Sequence, residues 1–412
     1  EIDSGAIAGW IEMRDTILPD LHSQFEELAQ SFTREINAIH NDGVGFPGRA
    51  QMTGTREIAA TDTPTWTGEL RVGILDPAGT VVEFQDFDLA TYPTTGDLIT
   101  AINAMTNVSA VINAAGNVEL DAVGTNVIAI NEFTSAVTAG NQTMGASAFL
   151  GLNDLFTQPN NFDVYTTSQQ APGTSALAGG TLTFTGAFGT ANVVVTAGDD
   201  LATIAAAINA DATLTAANVT ADVIADGSGF RLQISDSDGD NFSVADSGSL
   251  ITTMDMKARD HAVAATMGVR SDIIADPSRL SRGELSDSAT LAVGDTGVTA
   301  GGAQSIQRLA NLFNTSLQFE ETGQLPDATK TLSDYATAIL SLNSTQAQNV
   351  EDTLETKTFL HDTLQSKTRA ESGVNLDEEM AYMIILESAY AASARVITTT
   401  SELFDELLNI AR

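Results

Sequence analysis

Leu21, Phe25, Leu28, Phe32, Ile36 and Ile39 recur at steps of four, three, four, four and three. That spacing marks one face of a helix and predicts an amphipathic helix over 15–40, stopped by Asn41-Asp42-Gly43. From about Thr53 to Asp246 the pattern becomes short β-branched runs broken by Gly, Asn and Asp, with "GELRVGILD", "VIAINEF", "GTLTFTG", "ANVVVTA" and "FRLQIS" as examples. These predict strands. Helical texture returns near Ala258 and dominates to the end. A helix over 331–369 carries a thin stripe of Leu340, Ala347, Val350, Leu354 and Leu364 amid Thr, Gln, Asn and Ser, which suits a solvated stem wall packed on the Leu21–Ile39 stripe.

The order helix, β-rich insertion, helix predicts an elongated, multidomain α+β chain with a long-helix, coiled-coil-like stem and inserted β-rich modules. The expected segments are a first stem helix (1–50), a β-rich domain (51–158), an inserted β-rich module (159–252), a returning helical stem (253–371) and a terminal coiled-coil helix (372–412). An internal repeat runs through the insertion. "TGDLITAINAMTNVSAVINAAGNVELDA" from Thr95 and "GDDLATIAAAINADATLTAANVTADVIADGSGFRLQIS" from Gly198 share an acidic cap, a short helix ending in Ile-Asn, a strand, a Gly turn and a second strand. Ile102-Asn103 corresponds to Ile208-Asn209. Each copy follows a hairpin-like pair of strands, so each is expected to lay a helix on a small antiparallel sheet.

The last helix is the most apolar. Gly373 closes the helix before it, Asn375 can cap, and Asp377, Glu378 and Glu379 meet the positive end of the new helix dipole. Two seams follow at alternating steps of four and three. One holds Leu376, Met380, Met383, Glu387, Tyr390, Ala394, Ile397, Ser401, Phe404, Leu408 and Ala411. The other holds Tyr382, Leu386, Ala389, Ser393, Val396, Thr400, Leu403, Leu407 and Ile410. The plainer reading is a terminal helix packed on its own domain, the usual use of such a stripe; the Gly break and the helix's length favour a partner beyond the local core.

Composition narrows the function. The 412 residues are 43% hydrophobic and 17% charged, with a formal net charge of −36, a balance unsuited to nucleic acid or to an anionic membrane surface. No Lys or Arg stands between Arg71 and Arg231, so no cation is available there to clamp a phosphate. There is no cysteine. No apolar run approaches the length of a membrane span, and the start has neither an initiator Met nor a signal pattern, so the chain reads as a fragment. His22, His40, His261 and His361 have no metal-ligand spacing. Asp236, Asp238 and Asp240 in "SDSDGDN" are a weak calcium candidate, but Gly239 comes one place too early and no Glu closes the loop; an acidic turn is the plainer reading. No phosphate-binding glycine loop, nucleophile elbow or His-Glu-x-x-His helix occurs. The chain reads as non-enzymatic, with no cofactor.

"SGVNLDEEMAYMIILESAYAASARVITTTSELFDELLNI" resembles the carboxyl-terminal signature of the flagellar hook-associated protein 1 family, junction proteins between hook and filament. "FLGLNDLF" (149–156), "DIIADPSRLSRG" (272–283) and "GWIEMRD" (9–15) resemble further segments of that family. The Leu-x-x-x-x-Ala-Ala-Ile-Asn repeat is similar to modules of flagellins and the filament cap protein. The family usually has Gln at the positions of Glu387 and Ser388, and the amino-terminal helix that would pair with the terminal one does not stand in these residues. The resemblance implies a flagellin-like architecture and a structural subunit without membrane insertion. Its implied partners are like subunits in a ring, the hook protein, the second junction protein and an export chaperone on the C-terminal helix. It further implies export through the flagellar type III secretion apparatus to an extracellular flagellum. The subunit-packing residues would be Leu376, Met380, Met383, Tyr390, Ala394, Ile397, Phe404, Leu408, Leu386, Val396, Leu403, Leu407 and Ile410. A flagellin, the second junction protein, or a secreted adhesive or calcium-stabilised binding module are the alternatives.

Overall fold

In the computed structural model, which describes residues 5–157, 162–171, 173, 179–260, 262–373 and 375–410, the first periodic stripe lies on a continuous helical run. Its parts are α1 (Gly5–Glu12), a π-helical turn (Met13–Ile17) and α2 (Leu18–Asn41). The chain divides into two units, Glu1–Leu342 and Asn343–Arg412.

Within the first unit, the insertion folds as two modules of the same topology. The first contains β1 (Gln51–Glu57), β2 (Glu69–Leu75), β3 (Val81–Asp88), α3 (Thr95–Asn103), β4 (Val108–Ile112), β5 (Asn117–Ala122) and β6 (Val127–Asn131). The second contains β7 (Val164–Thr166), β8 (Gly180–Gly186), β9 (Gly189–Val195), α4 (Leu201–Ala210), β10 (Val219–Asp226), β11 (Gly229–Asp236), β12 (Phe242–Asp246) and β13 (Lys257–Arg259). Sheet β3-β2-β6 corresponds to β9-β8-β12, and β4-β5-β1 to β10-β11-β7, with β13 added outside β7; every pairing is antiparallel. The repeat therefore extends by one strand on each side of the stretch that the sequence makes visible.

The Ile-Asn signature has a physical cause. Ile102 and Ile208 are fully buried in their module cores, and the Asn that follows fixes the helix end to the next strand. Asn103 Oδ1 accepts from Ala110 N–H at 3.0 Å. Asn209 does more: its Oδ1 accepts from Ala221 N–H at 2.8 Å, and its Nδ2 donates to Ala221 O at 2.7 Å. The helices begin on matching caps, a Thr94–Asp97 capping box and Asp200 accepting from Thr203 N–H. Asn209→Ala is expected to cost about 1 to 3 kcal/mol, because it strands two backbone groups, and Asn103→Ala about half that. Urea midpoints of the two variants check the order; equal losses would contradict it.

The stem core sets Ile36 and Ile39 of α2 against Leu312, Phe319, Leu325, Leu332, Tyr335 and Ile339, with Tyr335 stacked on Phe319 at 3.9 Å between ring centroids. Its helical partner is the start of α5 (Leu332–Ser372), as expected, but the packing residues are not those of the expected stripe. Leu332, Tyr335 and Ile339 turn inward, while Leu340 is 66% exposed. Leu340 stands about 100° round the helix from Ile339, and the rest of the expected stripe, from Ala347 on, lies in the second unit. A second correction concerns 260–331, where helical texture was expected. Among the described residues, short helices (Val263–Thr266, Ser271–Ala275, Gln304–Leu312), a 3-10 turn (Pro277–Arg279), a two-residue strand (Gly268–Val269, paired with Phe156–Thr157) and a small hairpin (Leu317–Phe319 with Ala328–Lys330) form there. The glycine-rich stretch 283–302 instead lies as irregular chain over Val44, Leu75 and Val81, contributing Leu285 and Val298 to their core. Long helix resumes at Leu332.

The second unit contains the rest of α5 and α6 (Leu376–Ile410).

Candidate assembly surfaces

Gly373 ends α5 as the sequence predicts. Its N–H donates to Arg369 O at 2.7 Å, and a Cβ there would stand 2.1 Å from that oxygen, so only glycine fits the break. Asn375 then caps α6, its Oδ1 accepting from Asp377 N–H at 3.2 Å. The acidic residues Asp377, Glu378 and Glu379 occupy the first turn.

Beyond that cap the apolar seams are bare. All thirteen expected packing residues lie on α6, and every one is exposed, the large ones from 53% at Met380 to 80% at Tyr390 and Ile410. Ala411 of the first seam lies outside the described residues. Residues 382–386 are apolar on every side of the helix. That corrects one reading of the sequence: the helical stretch Leu332–Ile410 includes a window long and apolar enough to cross a membrane by length and composition alone. Glu387 sits in the first seam directly after this girdle.

The first unit presents an apolar surface of its own, which the sequence reading did not name. Ile7, Trp10, Ile11, Met13, Leu18 and Phe25 are exposed along α1 and α2. Near Phe25 the stripe opens into a groove of about 520 Å³ walled by Phe25, Leu28, Phe32, Met267, Phe313 and Leu332. The α1 part had a signal in the four-residue step from Ile7 to Ile11. Met267 and Phe313 had none, because they come from short elements far along the chain.

Groups with perturbed acidity sit in packing positions. His40 is fully buried at the end of α2; its Nδ1 lies 2.5 Å from Asn153 O and its Nε2 accepts from Ser281 N–H at 3.0 Å. Burial pushes its pKa down to about 4, with the charges of Arg49 and Arg270 adding to the shift. Glu132 is pushed up to about 7, chiefly by burial and further by Asp42, against the hydrogen bonds from Ser135, Ser147 and Ala148. His22 and His361 are exposed, and His261 lies outside the described residues. Asp236 Oδ1 accepts from Asp238 N–H, and Asp238 Oδ2 from Asn218 Nδ2, which is the hydrogen bonding of a turn. The structure does not gather Asp236, Asp238 and Asp240 as metal ligands: among the described residues no group of three or more His, Cys, Asp or Glu could hold an ion.

Comparison with known families falls on the two ends. Residues 1–54 match the flagellar hook-associated protein FlgK helical domain, and residues 369–410 match the flagellar basal body rod FlgEFG protein C-terminal family. The second match coincides with the Gly break and α6. No curated protein gives a significant match. Among solved structures, FliD (HAP2) from Pseudomonas aeruginosa PAO1 is similar at 16% identity, TM-score 0.18, over 46% of this chain and 84% of that one. The flagellar cap protein FliD from Helicobacter pylori is similar at 15% identity, TM-score 0.17, over 52% and 58%. The D1-D2-D3 domains of FliD from Escherichia coli are similar at 11% identity, TM-score 0.20, over 70% and 76%. At these scores no residue role transfers from them.

Proposed function

We propose that this chain, whose residues 1–54 match a hook-associated protein helical domain and whose residues 369–410 match a basal body rod C-terminal family, is the subunit that joins hook to filament and works by polymerising through its terminal helix. The matched families are structural parts of the bacterial flagellum, so the protein is a structural flagellar component that assembles with other flagellar subunits. The finer reading is ours: a ring of like subunits between hook protein on one side and the second junction protein on the other. Delivery would be by flagellar type III export, with a chaperone over the C-terminal helix until assembly. The observation that carries this reading is α6, whose two apolar seams stand bare in the very stretch that matches a rod-type C-terminal family. Such a surface is costly to leave in water at roughly 1.5 to 3 kcal/mol for each large side chain, so it is built to be covered.

Addition of the purified chain to isolated hooks and, separately, to filament fragments tests the role by electron microscopy. Binding confined to hook ends, followed there by the second junction protein, is the expected result. Incorporation along the length of a growing filament would instead make it a flagellin.

A further inference from the structure

The second module meets its surroundings in two chemically different ways. Its own core is complete, with Leu182, Phe184, Ile204, Ile208, Leu232 and Ile234 all but fully buried. Toward the first module the contact has an apolar strip, with Ala139, Met144 and Phe149 packed on that core and Phe149 stacked on Phe162 with 6.0 Å between centroids and 18° between planes. It is tied besides by Asn141 N–H to Met256 O at 2.8 Å, Asn241 Nδ2 to Glu57 O at 2.7 Å and the Arg56–Asp260 ion pair at 3.0 Å. Toward the stem, among the described residues, no apolar side chain joins the core. Charges and hydrogen bonds take their place.

Arg259 is the centre of that contact. Its Nη1 donates to Glu27 Oε2 at 2.7 Å and Gln30 Oε1 at 2.9 Å on α2, and its Nη2 to Glu320 Oε2 at 2.7 Å. Lys257 also bonds Glu320. A second latch lies at the tip of the β10–β11 hairpin. Gly227 N–H donates to Asp20 Oδ1 at 3.1 Å, Asp226 accepts from Gly323 N–H, and Arg231 Nη2 reaches Glu321 O at 3.1 Å. Gly227 has φ +56°, and a Cβ on it would stand 1.6 Å from Gly323 O, so the tip is seated backbone against backbone.

The contact is also loosely filled. A cavity of about 280 Å³ lies between α2 and the module, bounded by Glu27, Thr166, Arg231 and Arg259. Another of about 190 Å³ lies where α2 and both modules meet, bounded by Thr33, Arg56, Met144 and Arg259. Arg259 Nε, Arg56 Nε and Thr166 Oγ1 are buried without a protein partner, as groups bridged by water would be.

We propose that the second module is a hinged body that swings off the stem about its apolar contact with the first module, by opening the Arg259 and Gly227 latches while its own core stays folded. Opening an ionic, water-containing contact returns its charges to bulk water, and that hydration offsets much of the lost Coulomb attraction. Little dispersion contact is lost where cavities already stand. The apolar strip against the first module would have to be exposed to leave, so it remains as the pivot. Polar interfaces between domains are those across which relative motion is the default. The hinge gives the outer module a second orientation without any change in either core, and it stands apart from the flagellar reading.

The chain has no cysteine, so Asn314→Cys in the stem and Thr190→Cys on the module can carry spin labels for distance measurement. In this background the native latch should hold the short distance as the major population. Arg259→Met, which leaves Glu27 without its cation and Glu320 bonded to Lys257 alone, is expected to raise the ratio of long to short distances about a hundredfold or more. Gly227→Ala, which touches neither charge nor core, should shift it the same way. Amide protection at Leu182, Ile208 and Ile234 should persist in both variants. An unchanged distance distribution in both variants would overturn the hinge. So would a long distance that appears only together with loss of protection in the module core, since the module would then be unfolding rather than swinging.

Discussion

Leu403→Glu combined with Leu407→Glu is expected to abolish self-association of the chain while leaving its thermal melting unchanged. Both side chains are 65% exposed, and every described residue from Ala347 onward is exposed, so the cost to folding should stay within about 0.5 kcal/mol. In an assembled seam the same positions would be buried. There the change removes two large apolar contacts of roughly 1.5 to 3 kcal/mol each and asks two carboxylates to leave water. Affinity should therefore fall at least about a thousandfold. Sedimentation velocity over a concentration series, paired with a calorimetric scan, separates the two effects. Assembly that survives the double substitution would remove α6 as the packing surface, and a lowered melting temperature would mean that the seam already has a partner within the chain. Glu substitution of Phe25, on the other apolar surface, serves as the contrast, because it tests the groove of the first unit without altering the seams.

What the sequence made legible and what it hid divide along a physical line. Features whose cause is local were readable. The Ile-Asn pair announces itself because a buried Ile and a strand-binding Asn must both stand at the helix end. Gly373 and Asn375 mark the α5–α6 break because a glycine-only turn and a cap have fixed chemistry. The α6 seams were readable because a seven-residue rhythm needs no knowledge of the partner. Features that depend on distant segments were not. Arg259 and Glu27 stand 232 residues apart, and nothing around either one reports the other. The strands β1 and β7, which complete the second hairpin sheet in each module, precede their partners by whole hairpins and carry no mark of the pairing. On α5 the expected stripe began at Leu340, but the buried contact is made earlier, at Leu332, Tyr335 and Ile339, where it is set by Phe319, a residue of a three-residue strand that stacks on Tyr335. The irregular 283–302 chain was misread as helical for the same reason, since its burial comes from the edge of another sheet.

Two buried titrations of opposite sign should give this protein a nearly flat pH dependence that single substitutions break in opposite directions. His40 is neutral in the folded chain down to about pH 4, against 6.5 for the free side chain. As pH falls from 6.5 to 4 the unfolded chain takes up a proton that the folded chain refuses, so stability is lost on acidification, by about 3 kcal/mol in all. The geometry supports this refusal: Nε2 already accepts from Ser281 N–H, and a proton there would set two donors face to face. Glu132 works the other way. Its carboxyl holds its proton to about pH 7 in the folded chain, against 4.5 ordinarily. Between 4.5 and 7 the folded chain binds the extra proton, so stability falls as pH rises, by up to about 3 kcal/mol, and the cost is fully present above pH 7. Over 4.5 to 6.5 the two slopes, each near 1.4 kcal/mol per pH unit, oppose one another. Glu132→Gln is expected to leave a stability that climbs with pH across that window, and His40→Gln one that declines across it. Urea midpoints of the two variants at pH 4.5 and 6.5 should therefore move apart in opposite directions from the native protein. Parallel pH profiles for all three proteins would show that neither group is held as its burial requires.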